Sequence, residues 1–206
     1  MLKRLLLCIT LCLAGPALAQ TPPPAAPAAP LPRVAIVTSK GRIVVELDTV
    51  RAPVTARNFL RYVDNRRYDG QEFYRAMPAQ DGKGLIQGGV VTDARLLFPP
   101  IAHEPTSQTG LAHVDGALSA PRAAPGTARG DFMIMIGDLH YLDAGTANGG
   151  DGLGYAVFGR VVEGMDVARA IFGSPVSPTE GQGAMVGQML SPRIRILNAR
   201  RLPPVR

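Results

Sequence analysis

The chain has 206 residues, 46% of them hydrophobic, a formal net charge of +6 and two cysteines. That length suits one domain with a core of useful size and excludes two large ones. Its arginines are scattered, with a local cluster only between Arg193 and Arg206, so the excess charge reads as a soluble basic surface and not as a nucleic-acid site.

Met1 to Ala19 has the parts of a targeting segment. Lys3 and Arg4 give a positive start, Leu5 to Leu13 an apolar run, and Ala17-Leu18-Ala19 a small-x-small cleavage pattern. The apolar run is short for a bilayer, and no later window approaches the roughly twenty apolar residues that a span needs. The mature chain is expected to begin near Gln20, to carry a charge of about +4 once Lys3 and Arg4 are gone, and to be exported to a bacterial periplasm. Cys8 and Cys12 both fall inside the segment, so the mature chain has no disulfide and no thiolate nucleophile or metal ligand. Residues 20–32, with Thr21 to Pro32 reading TPPPAAPAAPLP, form an extended, semi-rigid spacer, and 203–206 a short basic tail.

Val34 to Thr38 and Arg42 to Asp48 are rich in β-branched residues and flank Ser39-Lys40-Gly41, which predicts a hairpin. Arg51 to Pro53 stops the second strand, and Thr55 to Asn65 reads as a helix with Ala56, Phe59, Leu60 and Val63 on one face. Asn58 is read as a tether. Strands follow at Phe73 to Met77 and Leu85 to Val91, with a polar loop between them. His103-Glu104 lies in a connection, where Glu104 is expected to brace the loop. Phe132 to Ile136 is apolar on both faces, as in a closed and capped structure. Tyr155 to Val161 is a further strand and Gly164 to Phe172 a second short helix with Met165, Ala168 and Phe172 inward. Ser174 to Leu190 reads as a loop and Arg193 to Leu197 as the closing strand. The glycine-rich stretch after Asp143 matches neither a phosphate-binding fingerprint nor the ligand spacing of a calcium loop, so no metal or cofactor is expected.

The stretch Tyr68 to Gly89, YDGQEFYRAMPAQDGKGLIQGG, carries the chemistry. It sets Arg75 beside Phe73 and Tyr74 and places Gln87 directly before two glycines. Arginine and glutamine are donors suited to a backbone carbonyl, and the rings anchor such a site in the fold, which points to peptide handling. No serine, histidine and acid set stands in the context of a nucleophilic triad, since His103, His113 and His140 all sit in loop-like segments.

YDGQEFYR followed by IQGG resembles the signature of the cyclophilin-type peptidyl-prolyl isomerases, and the flanks agree over most of residues 34 to 200. The resemblance implies an all-β fold, a closed eight-stranded antiparallel barrel capped by two short helices, over residues 33–202. It implies isomerisation of X-Pro bonds, with Arg75 as the cationic donor and Gln87 holding a carbonyl. The substrate groove it implies is built from Phe73, Leu85, Pro121, Arg122, Asp131, Met133, Tyr141, Leu142 and Tyr155. Its expected partners are proline-containing peptides or unfolded exported proteins.

The chain departs from the family pattern in several places. The interval from Arg75 to Gln87 is longer by about four residues. The floor aromatic has no counterpart, Gln80 and Gly84 being the candidates. Met133 replaces a second ring, Pro121 a small residue, and Asp131 a glutamine, with Arg75 or Arg122 as its expected ion-pair partner. Three readings stand: a folding-assisting isomerase, a proline-peptide-binding or chaperone-like module with little catalysis, and an unrelated function on the same scaffold.

Overall fold

The structure is a computed structural model that describes residues 30–91, 93–146 and 151–204. The expected targeting segment at 1–19, most of the spacer, the tip of the glycine-rich loop and the last two residues of the tail lie outside the described residues.

The chain opens with the hairpin, β1 (Arg33–Thr38) and β2 (Gly41–Leu47), paired from Arg33↔Glu46 to Thr38↔Gly41. Helix α1 (Pro53–Asp64) follows and starts two residues earlier than its apolar pattern suggests, because proline is tolerated in a first turn whose N–H has no partner in any case. No side chain of its own caps it. The carboxylate of Glu104 does so from a distant loop, accepting from the backbone N–H of Val54 at 3.0 Å and of Thr55 at 2.8 Å, and from the Thr55 hydroxyl at 2.7 Å. An anion at a helix N-terminus satisfies orphan donors and complements the dipole, so Glu104 is a brace.

The remaining strands are β3 (Glu72–Pro78), β4 (Gly84–Gly89), β5 (Ala117–Ala120), β6 (Asp131–Ile136), β7 (Ala156–Glu163), β8 (Val176–Ser177) and β9 (Met189–Arg201). A four-residue helix, α2 (Thr106–Thr109), lies before β5, and α3 (Met165–Phe172) follows β7. Neighbouring strands run in the order β1-β2-β7-β5-β6-β4-β3-β9, and β9 pairs again with β1. Every ladder is antiparallel. The result is a closed eight-stranded barrel, with the two-residue β8 added beside the start of β9.

Besides the earlier start of α1, β8 falls within the stretch Ser174 to Leu190 that reads as loop, and two further details differ from the sequence-based reading. The closing strand is much longer than Arg193 to Leu197, because its first residues pair with β3 and β8 and its last with β1. Helix α3 buries Ala168 and Ile171 most deeply, while Met165 and Phe172 pack on the core half-buried.

Most rings are used inside the barrel. Phe132 meets Phe59, Tyr68 and Phe73 edge-on, with centroids 5.3–5.5 Å apart, and Phe158 packs on Phe59. Alternation along β6 sends Phe132, Ile134 and Ile136 into this core. It sends Met133 and Met135 to the outer face, where they form a second cluster with Leu85, Leu139, Leu142 and Val157.

Candidate active site

The outer face is organised by one row of cross-strand partners. Met189 pairs with Arg75, Arg75 with Gln87, Gln87 with Met133, Met133 with Ser119, and Ser119 with Val157. Partners in antiparallel register share a face, so this row sets polar and apolar side chains next to each other across five ladders.

Arg75 reaches that face through a β-bulge. Phe73 pairs with Gly88 and Arg75 with Gln87, which leaves Tyr74 as the extra residue. Strict alternation from the inward Phe73 would turn Arg75 into the barrel; the extra residue turns it out. Lengthening of the loop beyond Pro78 leaves this pairing intact, because the added residues sit past Pro78↔Gly84, in a turn at Gln80–Gly82 closed by Lys83. The paired glycines after Gln87 have a steric cause. A Cβ on Gly88 would lie 2.8 Å from the Glu72 carbonyl, and one on Gly89, whose φ is +125°, would lie 2.3 Å from the Gly130 carbonyl.

Arg75 Nη1 donates to Gln87 Oε1 at 3.0 Å, and Arg75 Nε donates to Gln188 Oε1 at 2.9 Å. Gln87 Nε2 faces Asp131 Oδ2 at 3.4 Å, and the Tyr74 hydroxyl donates to the same oxygen at 2.8 Å. Asp131 Oδ1 is buried without a partner. Burial lowers Arg75 from its ordinary value, opposed by the nearby Tyr74, Tyr155 and Tyr141 hydroxyls. Burial also pushes the Asp131 carboxyl up to about 6, more than the hydrogen bonds from Tyr74 and Gln87 bring it down. In return, burial and the Asp131 carboxylate raise Tyr74.

Arg75, Gln87, Pro121, Arg122, Asp131, Met133 and Tyr155 line one groove of about 510 Å³ together with Val90, Leu97, Thr127, Arg129 and Met185. The other expected groove residues lie elsewhere. Phe73 is fully buried inside the barrel, a consequence of the same bulge that turns Arg75 out. Leu85 and Leu142 are buried beneath the outer cluster, where they support Met133. Tyr141 lines a neighbouring cavity with Met77, Gln80, Lys83 and Gln188. Gly84 cannot supply a floor either, since a side chain there would run into the Phe172 ring and the Met77 carbonyl.

Asp131 pairs with neither expected arginine. Arg122 turns away from it and is held by Asp151, with two bonds of 2.7 Å, and by the Gly154 carbonyl at 2.9 and 2.6 Å, with Tyr155 beside its guanidinium. Asn58 tethers the groove wall by donating to the Arg129 carbonyl at 2.6 Å.

A serine, histidine and acid set does exist in space. Ser119 Oγ lies 2.9 Å from His113 Nε2, and His113 Nδ1 lies 2.6 Å from Asp143 Oδ1, the other oxygen of which meets His140 at 3.0 Å. Loop residues separated in sequence are brought over Ser119 by folding, which no local pattern announces. Both Ser119 and His113 are 0% exposed. The set satisfies the one hydroxyl of the outer row and has no path to a substrate. Burial lowers His113 from its ordinary value against the opposing pull of Asp143. With Asp143 and Asp151 engaged by histidines and Arg122, the glycine-rich loop presents no free pair of carboxylates. No group of three metal-ligating side chains occurs among the described residues.

Among the residues that the sequence did not disclose are Met185, in the groove lining, and Gln188, which holds Arg75 from the neighbouring cavity. They come from the stretch before β9 that reads as featureless loop, and a lone glutamine or methionine there has no signal of its own.

The model of the cyclophilin type peptidyl-prolyl cis-trans isomerase family matches residues 33–200. The chain belongs to that family. A peptidyl-prolyl cis-trans isomerase of Acinetobacter baylyi is 36% identical over 148 residues, which cover 70% of this chain and 73% of that protein. One of Streptomyces antibioticus is 38% identical over 152 residues, 72% of this chain and 87% of that protein. Among solved structures, a cyclophilin type isomerase of Cryptosporidium parvum superposes with a TM-score of 0.66 at 19% identity. The match covers 85% of this chain and 99% of that one. The chain is thus an isomerase of the cyclophilin type that acts on X-Pro bonds. No helix among its described residues is long and apolar enough to cross a membrane.

Proposed function

We propose that this cyclophilin isomerises X-Pro bonds of exported proteins during their folding in the periplasm, using Arg75 and Gln87 in the groove on the outer face of the barrel. The observation that carries the assignment of the site is the hydrogen-bonded pair Arg75 and Gln87, side by side on the wall of an open groove whose floor is Met133 over Leu85.

Amide resonance sets the barrier to rotation at roughly 18–20 kcal/mol, and twisting the C–N bond returns lone-pair character to the proline nitrogen. A guanidinium donor near that nitrogen favours the twisted state over both planar ones, and neither a covalent step nor a metal is required. Gln87 donates its second amide hydrogen to the carbonyl of the residue before proline and so holds that side still while the other turns. Met133 receives the proline ring, and Tyr155 with the Arg122 stem closes one side.

A second reading, peptide binding with little catalysis, draws on the floor. With most rings packed inside the barrel, Tyr155 is the aromatic residue of the groove lining. Each missing ring contact weakens binding by about tenfold.

The test is cis-to-trans conversion of short X-Pro peptides by the mature chain beginning at Gln20, alongside direct measurement of peptide binding. Acceleration over the uncatalysed rate across several X residues supports the first reading. Binding without acceleration supports the second and contradicts the first. Cell fractionation of the full chain, with N-terminal sequencing, tests the location; retention of Met1 to Ala19 in the cytoplasmic fraction overturns it.

A further inference from the structure

Arg75 has five N–H donors, and two are taken by glutamine side chains that lie far apart in the chain. Gln87 accepts from Nη1, and Gln188 accepts from Nε at 2.9 Å. Both acceptors are neutral amide oxygens. They hold the plane of the guanidinium without cancelling its charge, whereas a carboxylate in either place would form an ion pair and weaken the field in the groove.

Gln188 is itself fixed at three points. Its Nε2 donates to the Ala184 carbonyl at 2.8 Å, which leaves its oxygen to face Arg75. Its backbone N–H donates to the Met185 carbonyl at 3.1 Å, and its own carbonyl accepts from Ala76 N–H at 2.9 Å. The turn at Gly183–Met185 is therefore stitched to β3 one residue beyond Arg75, and the same turn sends Met185 into the groove.

We propose that Gln188 is a positioning residue for isomerisation, orienting the Arg75 guanidinium so that its remaining Nη hydrogens point into the groove with the charge undiminished. The inference rests on the assignment of Arg75 to the reaction.

The experiment compares Gln188→Met, which keeps the length of the side chain and removes the acceptor, with Gln188→Glu, which keeps the acceptor and adds a charge. Each variant is first matched to the parent chain by circular dichroism and thermal melting. Gln188→Met is expected to lower kcat about tenfold with KM within about twofold. Gln188→Glu is expected to lower kcat at least as much although its geometry is retained, a result that a merely structural role would not give. In an Arg75→Ala background Gln188→Met should have no further effect. Full activity of a folded Gln188→Glu or Gln188→Met, with Arg75→Ala inactive, overturns the inference and leaves the role of Arg75 standing; an active Arg75→Ala overturns that role instead. Should Gln188→Met not fold, solvent exchange of the Arg75 Nε hydrogen in the parent chain decides: slow exchange supports the inference, and exchange as fast as in exposed arginines contradicts it.

Discussion

Gln87 Nε2 faces Asp131 Oδ2 at 3.4 Å while Gln87 Oε1 accepts from Arg75. The two ends of one amide thus report to a cation and to a carboxylate whose second oxygen is buried and unpartnered. Burial sets the carboxyl at about 6, above its ordinary value of 3.8. A carboxyl raised on folding contributes stability that is fully present below pH 3.8 and is lost as pH rises through about 6. Relative to Asp131→Asn, which is neutral throughout, the parent chain should lose on the order of 2–3 kcal/mol across that window. Urea denaturation of both proteins at several pH values between 4 and 7.5 checks this. A difference that stays flat, or grows in favour of the parent as pH rises, contradicts it.

The opposite sign is expected for His113. Its folded value is lowered, so its contribution is present above its ordinary value of 6.5 and is lost as pH falls below that. Ser119→Ala should leave isomerisation within about twofold while costing about 1–2 kcal/mol of stability, because it strips the buried histidine of a partner. Ester hydrolysis by the parent that vanishes in Ser119→Ala would show that the buried set is reachable after all.

Arg122 is 6% exposed at its side chain and satisfies both Asp151 and the Gly154 carbonyl. Arg122→Ala should therefore cost about 1–2 kcal/mol of stability and Asp151→Ala less, because in the second variant Arg122 keeps its bonds to Gly154. Peptide KM should rise in Arg122→Ala as Tyr155 loses its neighbour. Thermal melts and steady-state kinetics of the pair measure both effects, and equal melting temperatures would speak against the clamp.

Glu104 offers a control remote from the chemistry. Glu104→Ala leaves the first turn of α1 without an acceptor and should cost about 1–2 kcal/mol. Its kcat/KM should stay within about twofold of the parent. A large loss of activity in a folded variant would mean that α1 and the groove are coupled.

Much of the fold was legible because Arg42 to Asp48 alternates, Phe132 to Ile136 is apolar on both faces as a closed structure requires, and the family resemblance implied the eight-stranded barrel. The two-residue β8, by contrast, lay in a stretch that reads as loop. Arg75 and Gln87 were legible as a pair because both are donors suited to a backbone carbonyl and both stand in the stretches that resemble the family signature, and the hairpin sets them in register. The bulge at Tyr74 was not legible, since an extra residue in a strand leaves no mark in composition. For that reason Phe73 was expected in the groove and lies in the core. The partner of Asp131 was misread for a related reason: charge alone suggested an arginine, whereas the fold gives Arg122 to Asp151 and gives Asp131 a tyrosine hydroxyl and an amide. Gln188 and the set around His113 depend on contacts between loops distant in sequence, and such contacts have no local pattern.

Lowering of the barrier to rotation by the charge and the fixed donors of Arg75 underlies the proposed mechanism. It is tested most directly by kcat/KM for one X-Pro peptide with the parent chain, Arg75→Ala and Arg75→Lys. Loss of about a hundredfold or more in Arg75→Ala is predicted, with partial recovery in Arg75→Lys, which keeps the charge without the planar donors, and with the melting temperatures of all three close together. Activity of Arg75→Ala within about twofold of the parent would contradict the account.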